Sequence, residues 1–291
     1  MEKYKHLIVG MGFGGLYAEV YKEMGHDVVT VDSDPAKGAT YKSVDDIPAD
    51  MRFSIANICT PNFTHETVAR AIATKCKVVI IEKPGVKNKI EWERLCLDFP
   101  HTRFMMTKNN QYRANISEMT AMYDSAKTVK LHWINNNRVP NAGTWFTTKE
   151  LAYGGVSRDL LPHLLSLYIQ FESEWGYTEW TSTQAKQNWQ LSELSTTDYG
   201  TVKQDGVYDV DDYVKLTTTT GGKDWEIIAD WKSNSSDDIG IYFDDKFVPL
   251  GMCPVEAYRR MVTTVIANYN NPKFWQIQFL QDVWIHSTIA I

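Results

Sequence analysis

Long apolar runs are missing from this chain of 291 residues, and none approaches the ~20 consecutive residues that a membrane-spanning helix needs. A signal-peptide core is missing too: Met1-Glu2-Lys3-Tyr4-Lys5 leads straight into the first strand-like run, so the expected location is the cytosol. Basic charge is in deficit, with a net charge of −6 and no basic stripe, which argues against nucleic acid and anionic membrane as partners. Cysteine is scarce, and Cys59, Cys76, Cys96 and Cys253 lack metal-ligand spacing, so they read as reduced packing residues. The seven histidines are scattered without an HExxH pattern, and no metal is expected. There is no internal repeat or low-complexity tract, and the length suits two ordinary domains acting on small molecules.

What is present starts with a glycine-spaced turn, Gly10-Met11-Gly12-Phe13-Gly14-Gly15, between the apolar run His6-Leu7-Ile8-Val9 and a helix-like stretch. Strand, glycine turn and helix in that order suit a dinucleotide pyrophosphate, which rests on free amides at a helix N-terminus. In this reading Gly10 makes the tight turn, Gly12 lets the backbone approach the phosphates, and Gly15 lets the helix pack on the strand. A second strand-like run ends at Asp32, a carboxylate placed to accept from the ribose hydroxyls; alternatively Asp32 opens a solvated turn before Pro35. A carboxylate there repels a 2′-phosphate, so NAD is expected over NADP, with Lys37 the nearest cation in sequence that favours NADP.

Residues 1–113 alternate β-branched apolar runs with amphipathic stretches at 16–24, 64–74 and 89–97, the pattern of a doubly wound parallel sheet with helices on both faces. Thr64 is the expected N-cap of the second helix. Residues 114–291 read as an α+β domain on an open, mostly antiparallel sheet, with strands expected at 129–135, 177–189, 208–219, 225–231 and 239–244. Helices are expected at 155–169, 255–268 and 274–285. The strands are rich in Trp and Tyr, which implies either an ordinary aromatic core or a face covered by a partner subunit.

Three segments carry candidate chemistry. Thr60-Pro61-Asn62 with His65 follows the third strand, where Asn62 can donate to a cofactor ribose or phosphate; His65 either joins it or packs on its helix. Glu82-Lys83-Pro84 follows the next strand, and a Lys ammonium at that edge can stabilise the alkoxide that develops as hydride leaves carbon; its bland alternative is a solvated charge. In Gly154-Gly155-Val156-Ser157-Arg158-Asp159-Leu160-Leu161-Pro162-His163, the four-residue spacing of Asp159 and His163 suits a general acid/base and the acid that orients it. Pro162 requires that the helix start late or bend there.

In order and spacing these segments resemble the glucose-fructose oxidoreductase, inositol dehydrogenase and rhizopine-catabolism (Gfo/Idh/MocA) family. The resemblance covers the N-terminal half and fades to general similarity beyond Ile169. It implies a Rossmann domain followed by an α/β domain whose open sheet mediates homo-oligomers, dimers or tetramers. It also implies pyridine-nucleotide oxidoreduction of a sugar, cyclitol or related polyol, with Lys83, Asp159 and His163 at the family's catalytic positions. The cofactor set it implies is Gly10, Gly12, Phe13, Gly14, Gly15, Asp32, Thr60, Pro61, Asn62, His65, Glu82 and Lys83. Leu161 replaces a frequent glycine and Ser166 a frequent aspartate, which should alter packing and substrate contacts. Asn110 and Arg113 fall near the expected substrate position, where Arg113 binds a carboxylate or phosphate or serves the domain junction; Trp145 stacks on a sugar ring or anchors its loop. The expected activity is NAD-dependent dehydrogenation of such a hydroxyl. The alternatives are a hydrolase or epimerase that keeps and regenerates NAD, and a non-catalytic cofactor-sensing protein.

Overall fold

A computed structural model describes residues 4–196, 200–233 and 236–291, apart from the Ser182 side chain. Met1-Glu2-Lys3, read above as the lead into the first strand, lie outside the described residues. The chain divides into two compact units. One is Met1–Thr107 with Tyr258–His286, and the other is Lys108–Ala257 with Ser287–Ile291.

The first unit is built on β1 (Lys5–Val9), β2 (Asp27–Val31), β3 (Phe53–Ile58), β4 (Cys76–Ile81) and β5 (Arg103–Met106). They form one five-stranded parallel sheet in the order β2-β1-β3-β4-β5. Apart from single positions near their starts, β3 and β4 are buried along their length, as strands covered on both faces must be. Between the strands lie α1 (Gly14–Glu23), α2 (His65–Ile72) and α3 (Lys89–Asp98). Strand order reverses at β1 and β3, so the loops that follow those two strands are neighbours at the C-terminal edge, where open α/β sheets bind ligands.

The second unit holds α4 (Ile116–Ser125), β6 (Thr128–Asn136), α5 (Lys149–Ala152), α6 (Val156–Asp159), α7 (Leu161–Phe171), β7 (Ser182–Lys186), β8 (Tyr213–Thr220), β9 (Lys223–Ser233), β10 (Asp238–Phe243) and β11 (Lys246–Pro249). Its six strands are ordered β11-β10-β6-β9-β8-β7. The pairings are antiparallel except β6 with β9, which run parallel, so the sheet is mixed rather than wholly antiparallel. Period-two burial is clear in β9, where Trp225, Ile227, Ala229 and Trp231 point to the covered face. The Trp225 ring lies against Tyr123 and Tyr168, and Trp231 lies against Phe146, so these aromatic residues belong to the unit's own core.

The expected helix at 155–169 is two helices that meet at Leu160. Pro162 falls at the start of α7, where its missing N–H leaves no helical bond unmade. The strand expected at 177–189 shortens to β7, the one expected at 239–244 is β10, and α4 and β11 are additions to the reading above. Finally α8 (Val255–Ala267) and α9 (Pro272–Thr288) close the chain. Residues 258–286 are counted with the first unit: Asp282 Oδ2 accepts from Met106 N at 3.0 Å, and the His286 ring stacks on Trp92 at 4.9 Å between centroids.

Candidate functional site

In the first unit the strand ends assemble a turn, an acid and a lysine along one edge. Gly10 has φ of +90°, and a Cβ there would lie 2.7 Å from the Cys59 carbonyl, so backbone conformation and the neighbouring strand both demand glycine. The glycine that packs helix on strand is Gly14 rather than Gly15: a Cβ on Gly14 would meet Ile8 Cγ2 at 2.6 Å, and one on Gly15 meets nothing within 4 Å. Gly12 is equally free of protein neighbours within 4 Å, so no internal packing requires glycine there. The N-cap of α1 is Phe13, which makes no side-chain cap, and the first turn holds no acid. Its leading amides are therefore uncapped by side chains, as an incoming anion needs. The Phe13 ring is partly exposed and edges onto Tyr17 and Tyr258.

Asp32 is half-buried at the end of β2, accepting from Met11 N at 2.6 Å and from Asp34 N at 2.9 Å. Those bonds tie the acid to the glycine turn and leave its oxygens further lone pairs for ribose hydroxyls. The residues fit a dinucleotide: amides after Gly10 for the pyrophosphate, and a fixed carboxylate for the adenosine ribose.

Beside this turn runs the loop after β3. Thr60 and Pro61 lead into a 3₁₀ turn at Asn62–Thr64 at the same edge, where Asn62 and Thr64 are half-buried and Phe63 is exposed. Thr64 stands at the N-cap position of α2 without capping it; its hydroxyl instead donates toward Thr60 Oγ1 at 2.6 Å and Pro61 O at 2.7 Å. His65 is buried, with Nδ1 2.7 Å from Gly85 O and Nε2 2.8 Å from Thr60 O. The ring thus lies between two loop carbonyls, donating to one of them when neutral, and His65 braces two loops. Burial lowers its pKa and nearby Lys83 lowers it further, while the Gly85 and Thr60 carbonyls oppose that shift.

Glu82 and Lys83 follow β4, and the Lys83–Pro84 peptide is cis. Tyr17 donates to Glu82 Oε1 at 2.8 Å and also lies 3.2 Å from Thr107 Oγ1. Burial raises the Glu82 carboxyl, an effect that Tyr17 and Lys83 partly offset. Next in the chain, Val86 N donates to His286 Nε2 at 3.2 Å. The Lys83 turn is therefore pinned through its neighbours, by His65 at Gly85 and by His286 at Val86.

In the second unit Asp159 ends α6 and His163 lies in the first turn of α7, both half-buried. Trp231 Nε1 of β9 donates to Asp159 Oδ2 at 3.0 Å. The His163 ring stacks on Trp133 of β6, 5.7 Å between centroids and 29° between planes. Adjacent strands thus furnish one tryptophan for the acid and one for the imidazole. Asp211 holds the start of α6, accepting from Gly155 N at 2.9 Å and Ser157 N at 2.8 Å.

Arg113 is committed to the protein: Nε donates to Asn110 Oδ1 at 2.8 Å, Nη1 to Leu250 O at 2.5 Å and Nη2 to Gly251 O at 2.9 Å. Three of its five N–H donors thus go to neutral acceptors of the protein, in keeping with the structural alternative to anion binding. Asn110 is buried in that arrangement. Trp145 starts a 3₁₀ turn capped by Thr144 and packs edge-on against Phe146, itself against Trp231, the surroundings of a loop anchor.

Two buried polar groups escaped the sequence reading. Among the described residues, Asn109 has no hydrogen-bond partner at either end of its amide, and Arg158 has none at Nε or Nη1. Burial lowers the Arg158 pKa to about 10, against the pull of Asp211. No periodic signal marks such residues; only their surroundings do. No group of three or more His, Cys, Asp or Glu able to hold a metal ion occurs among the described residues. None of the described helices is long and apolar enough to cross a membrane.

Comparison with known proteins agrees with this geometry. Residues 5–99 match the family model GFO_IDH_MocA, the oxidoreductase family with an NAD-binding Rossmann fold. A putative UDP-kanosamine synthase oxidoreductase subunit from Amycolatopsis mediterranei (strain S699) is 29% identical over 174 residues, 54% of this chain and 49% of that protein. The match thus spans about half the length of this curated relative. Among solved structures, GenD2 from gentamicin A biosynthesis, in complex with NAD, aligns over 100% of this chain and 93% of its own, with a TM-score of 0.74 and 17% identity. Levoglucosan dehydrogenase in complex with NADH and levoglucosan aligns over 99% and 96%, with a TM-score of 0.71 and 16% identity. At such identities the structural likeness shows a shared fold. The N-terminal third, residues 5–99, thus matches the NAD-binding Rossmann domain of the Gfo/Idh/MocA oxidoreductases.

Proposed function

We propose that this protein is an NAD-dependent dehydrogenase that oxidises a hydroxyl on a sugar, cyclitol or sugar derivative. The observation that carries the reading is the Met11–Asp32 bond, which couples a glycine turn to a ribose-binding acid on the sheet edge that also bears Lys83. The relatives named above include a sugar dehydrogenase seen with NADH and its sugar, which supports the substrate class. NAD, held by the Gly10–Gly15 amides and Asp32, supplies a two-electron acceptor for the hydrogen on the carbinol carbon. His163 takes the hydroxyl proton, and its stacking on Trp133 restricts the ring plane. Lys83 steadies the oxygen as negative charge develops on it. Asp159, its carboxylate fixed by Trp231, orients the histidine.

The reading extends to assembly as a homo-oligomer through the second unit's sheet, whose uncovered face presents half-buried Tyr213 and Tyr242 together with Lys215 and Glu226. Incubating the protein with NAD and a panel of polyols, sugars and sugar nucleotides, while following reduced nicotinamide, tests the activity. Reduction with at least one member is expected. Tight NAD binding with no reduction across a broad panel would instead favour a cofactor sensor.

A further inference from the structure

The first unit has a second candidate ligand site, on the opposite edge of its sheet from the glycine turn. A cavity of about 570 Å³ opens where the parallel strands begin, and its walls include Lys5, Arg52, Lys75, Lys77, His101 and Phe99. Lys77 and His101 also line an adjoining recess of about 340 Å³ with Arg103, so the basic surface continues past the main cavity.

The charge there runs against the composition. The chain has 36 acidic and 30 basic residues, yet four lysine and arginine side chains meet at this one cavity. The carboxylate on its wall, Asp98, pairs with Arg70 at 2.7 Å, an arginine it shares with Glu66 at 2.8 Å, rather than with any of these four cations. Among the described residues the cations answer only neutral groups. Arg52 Nη1 donates to Ala49 O at 2.8 Å and Met51 O at 3.0 Å, Lys75 Nζ to Pro48 O at 2.9 Å, and Lys77 stands over the Tyr269 ring at 5.5 Å. Lys75 ends a short 3₁₀ helix and can offset its terminal carbonyls. Arg52 precedes β3 and Lys77 lies within β4, so neither serves a helix end.

Clustered like charges without counter-charges raise the local potential, and a concave wall focuses it. The cavity's volume falls in the range of small-molecule sites. We propose that this cavity binds a small phosphorylated metabolite carrying at least two negative charges, independently of the dinucleotide at the other edge. Arg52, Lys75 and Lys77 hold the phosphates, and Phe99 with Pro100 forms the less polar wall.

The test uses the full chain saturated with NAD, so that the cofactor edge is filled, and titrates inorganic pyrophosphate by calorimetry. Saturable binding is expected, weakening as ionic strength rises. The double variant Arg52→Glu, Lys77→Glu should lose about tenfold or more in affinity with NAD binding unchanged. Should that variant fail to fold, Arg52→Gln with Lys77→Gln is expected to weaken binding in the same direction. A Gly12→Val chain, impaired at the cofactor edge, should still bind pyrophosphate. Absence of saturable binding to the NAD-loaded protein, or an affinity indifferent to the folded charge variants, would overturn the proposal.

Discussion

Trp231 donates its indole N–H to Asp159 across 3.0 Å, so a core tryptophan of the second sheet fixes the carboxylate paired in our reading with His163. Trp231→Phe keeps an aromatic ring near Phe146 while deleting the donor and part of a fully buried ring system. We expect a stability loss of about 2–3 kcal/mol and a fall in turnover of roughly 10-fold to 100-fold, with the NAD Kd unchanged. Thermal unfolding, NAD titration and steady-state kinetics on one preparation separate the three quantities. Unaltered turnover would remove the carboxylate's orientation from the mechanism.

The glycine turn yields a contrast within six residues. Gly10→Ala places a side chain at φ +90° and 2.7 Å from the Cys59 backbone, and Gly14→Ala drives one into Ile8. Each should destabilise the fold by about 1–3 kcal/mol. Gly12→Val should instead leave the unfolding midpoint close to wild type while weakening NAD, because a Cβ there opens onto space with no protein atom within 4 Å. Equal loss of stability at positions 10 and 12 would contradict the assignment of Gly12 to the cofactor.

Asp32 governs the choice between the two dinucleotides. Asp32→Asn removes the charge that repels a 2′-phosphate while keeping an acceptor for Met11 N. The ratio of NAD to NADP affinity should fall by about tenfold or more, equivalent to roughly 1.4 kcal/mol. Fluorescence titration with both reduced cofactors measures it, and an unchanged ratio would exclude Asp32 as the discriminating group.

His6 makes the fold acid-sensitive. Burial is the largest cause, with His26 adding to it, of a fall in its pKa from 6.5 to about 3. The unfolded chain therefore binds a proton that the folded chain refuses, and stability rises with pH in that interval. The contribution is fully present above pH ~6.5 and is lost as pH falls toward about 3. Replacing His6 by Phe retains an aromatic ring against Tyr21, 3.9 Å away between centroids. Denaturant unfolding between pH 7 and pH 4 should show a shallower acid slope in the variant; an identical slope would rule His6 out as a source.

Much of this was legible because it is periodic. The five strand-like runs of the first unit, spaced by amphipathic stretches, translate directly into a parallel sheet, and β8 and β9 alternate as half-covered strands must. The roles of individual polar residues were less legible. His65 and Arg113 stand in ligand-facing motifs, yet the His65 ring lies between the Thr60 and Gly85 carbonyls and Arg113 donates to Leu250 and Gly251, contacts set by chain segments up to 138 residues away. The parallel pairing of β6 with β9 has no local signature, since either direction satisfies the same alternation. Nor does α9 announce its partner: Asp282 and His286 are polar in sequence and wholly buried in the fold. The dense aromatic strands carry no sign in sequence that Trp133 stacks on His163 or that Trp231 donates to Asp159.

The central claim is that His163 removes a substrate proton as NAD is reduced, and rapid mixing of NAD-loaded protein with the substrate identified by the panel tests it most directly. We expect nicotinamide to be reduced in the wild type, and the rate to drop by ~10²–10⁴ in His163→Ala while the NAD Kd stays the same. Equal rates in the two proteins, or substrate turnover without nicotinamide reduction, would contradict the account.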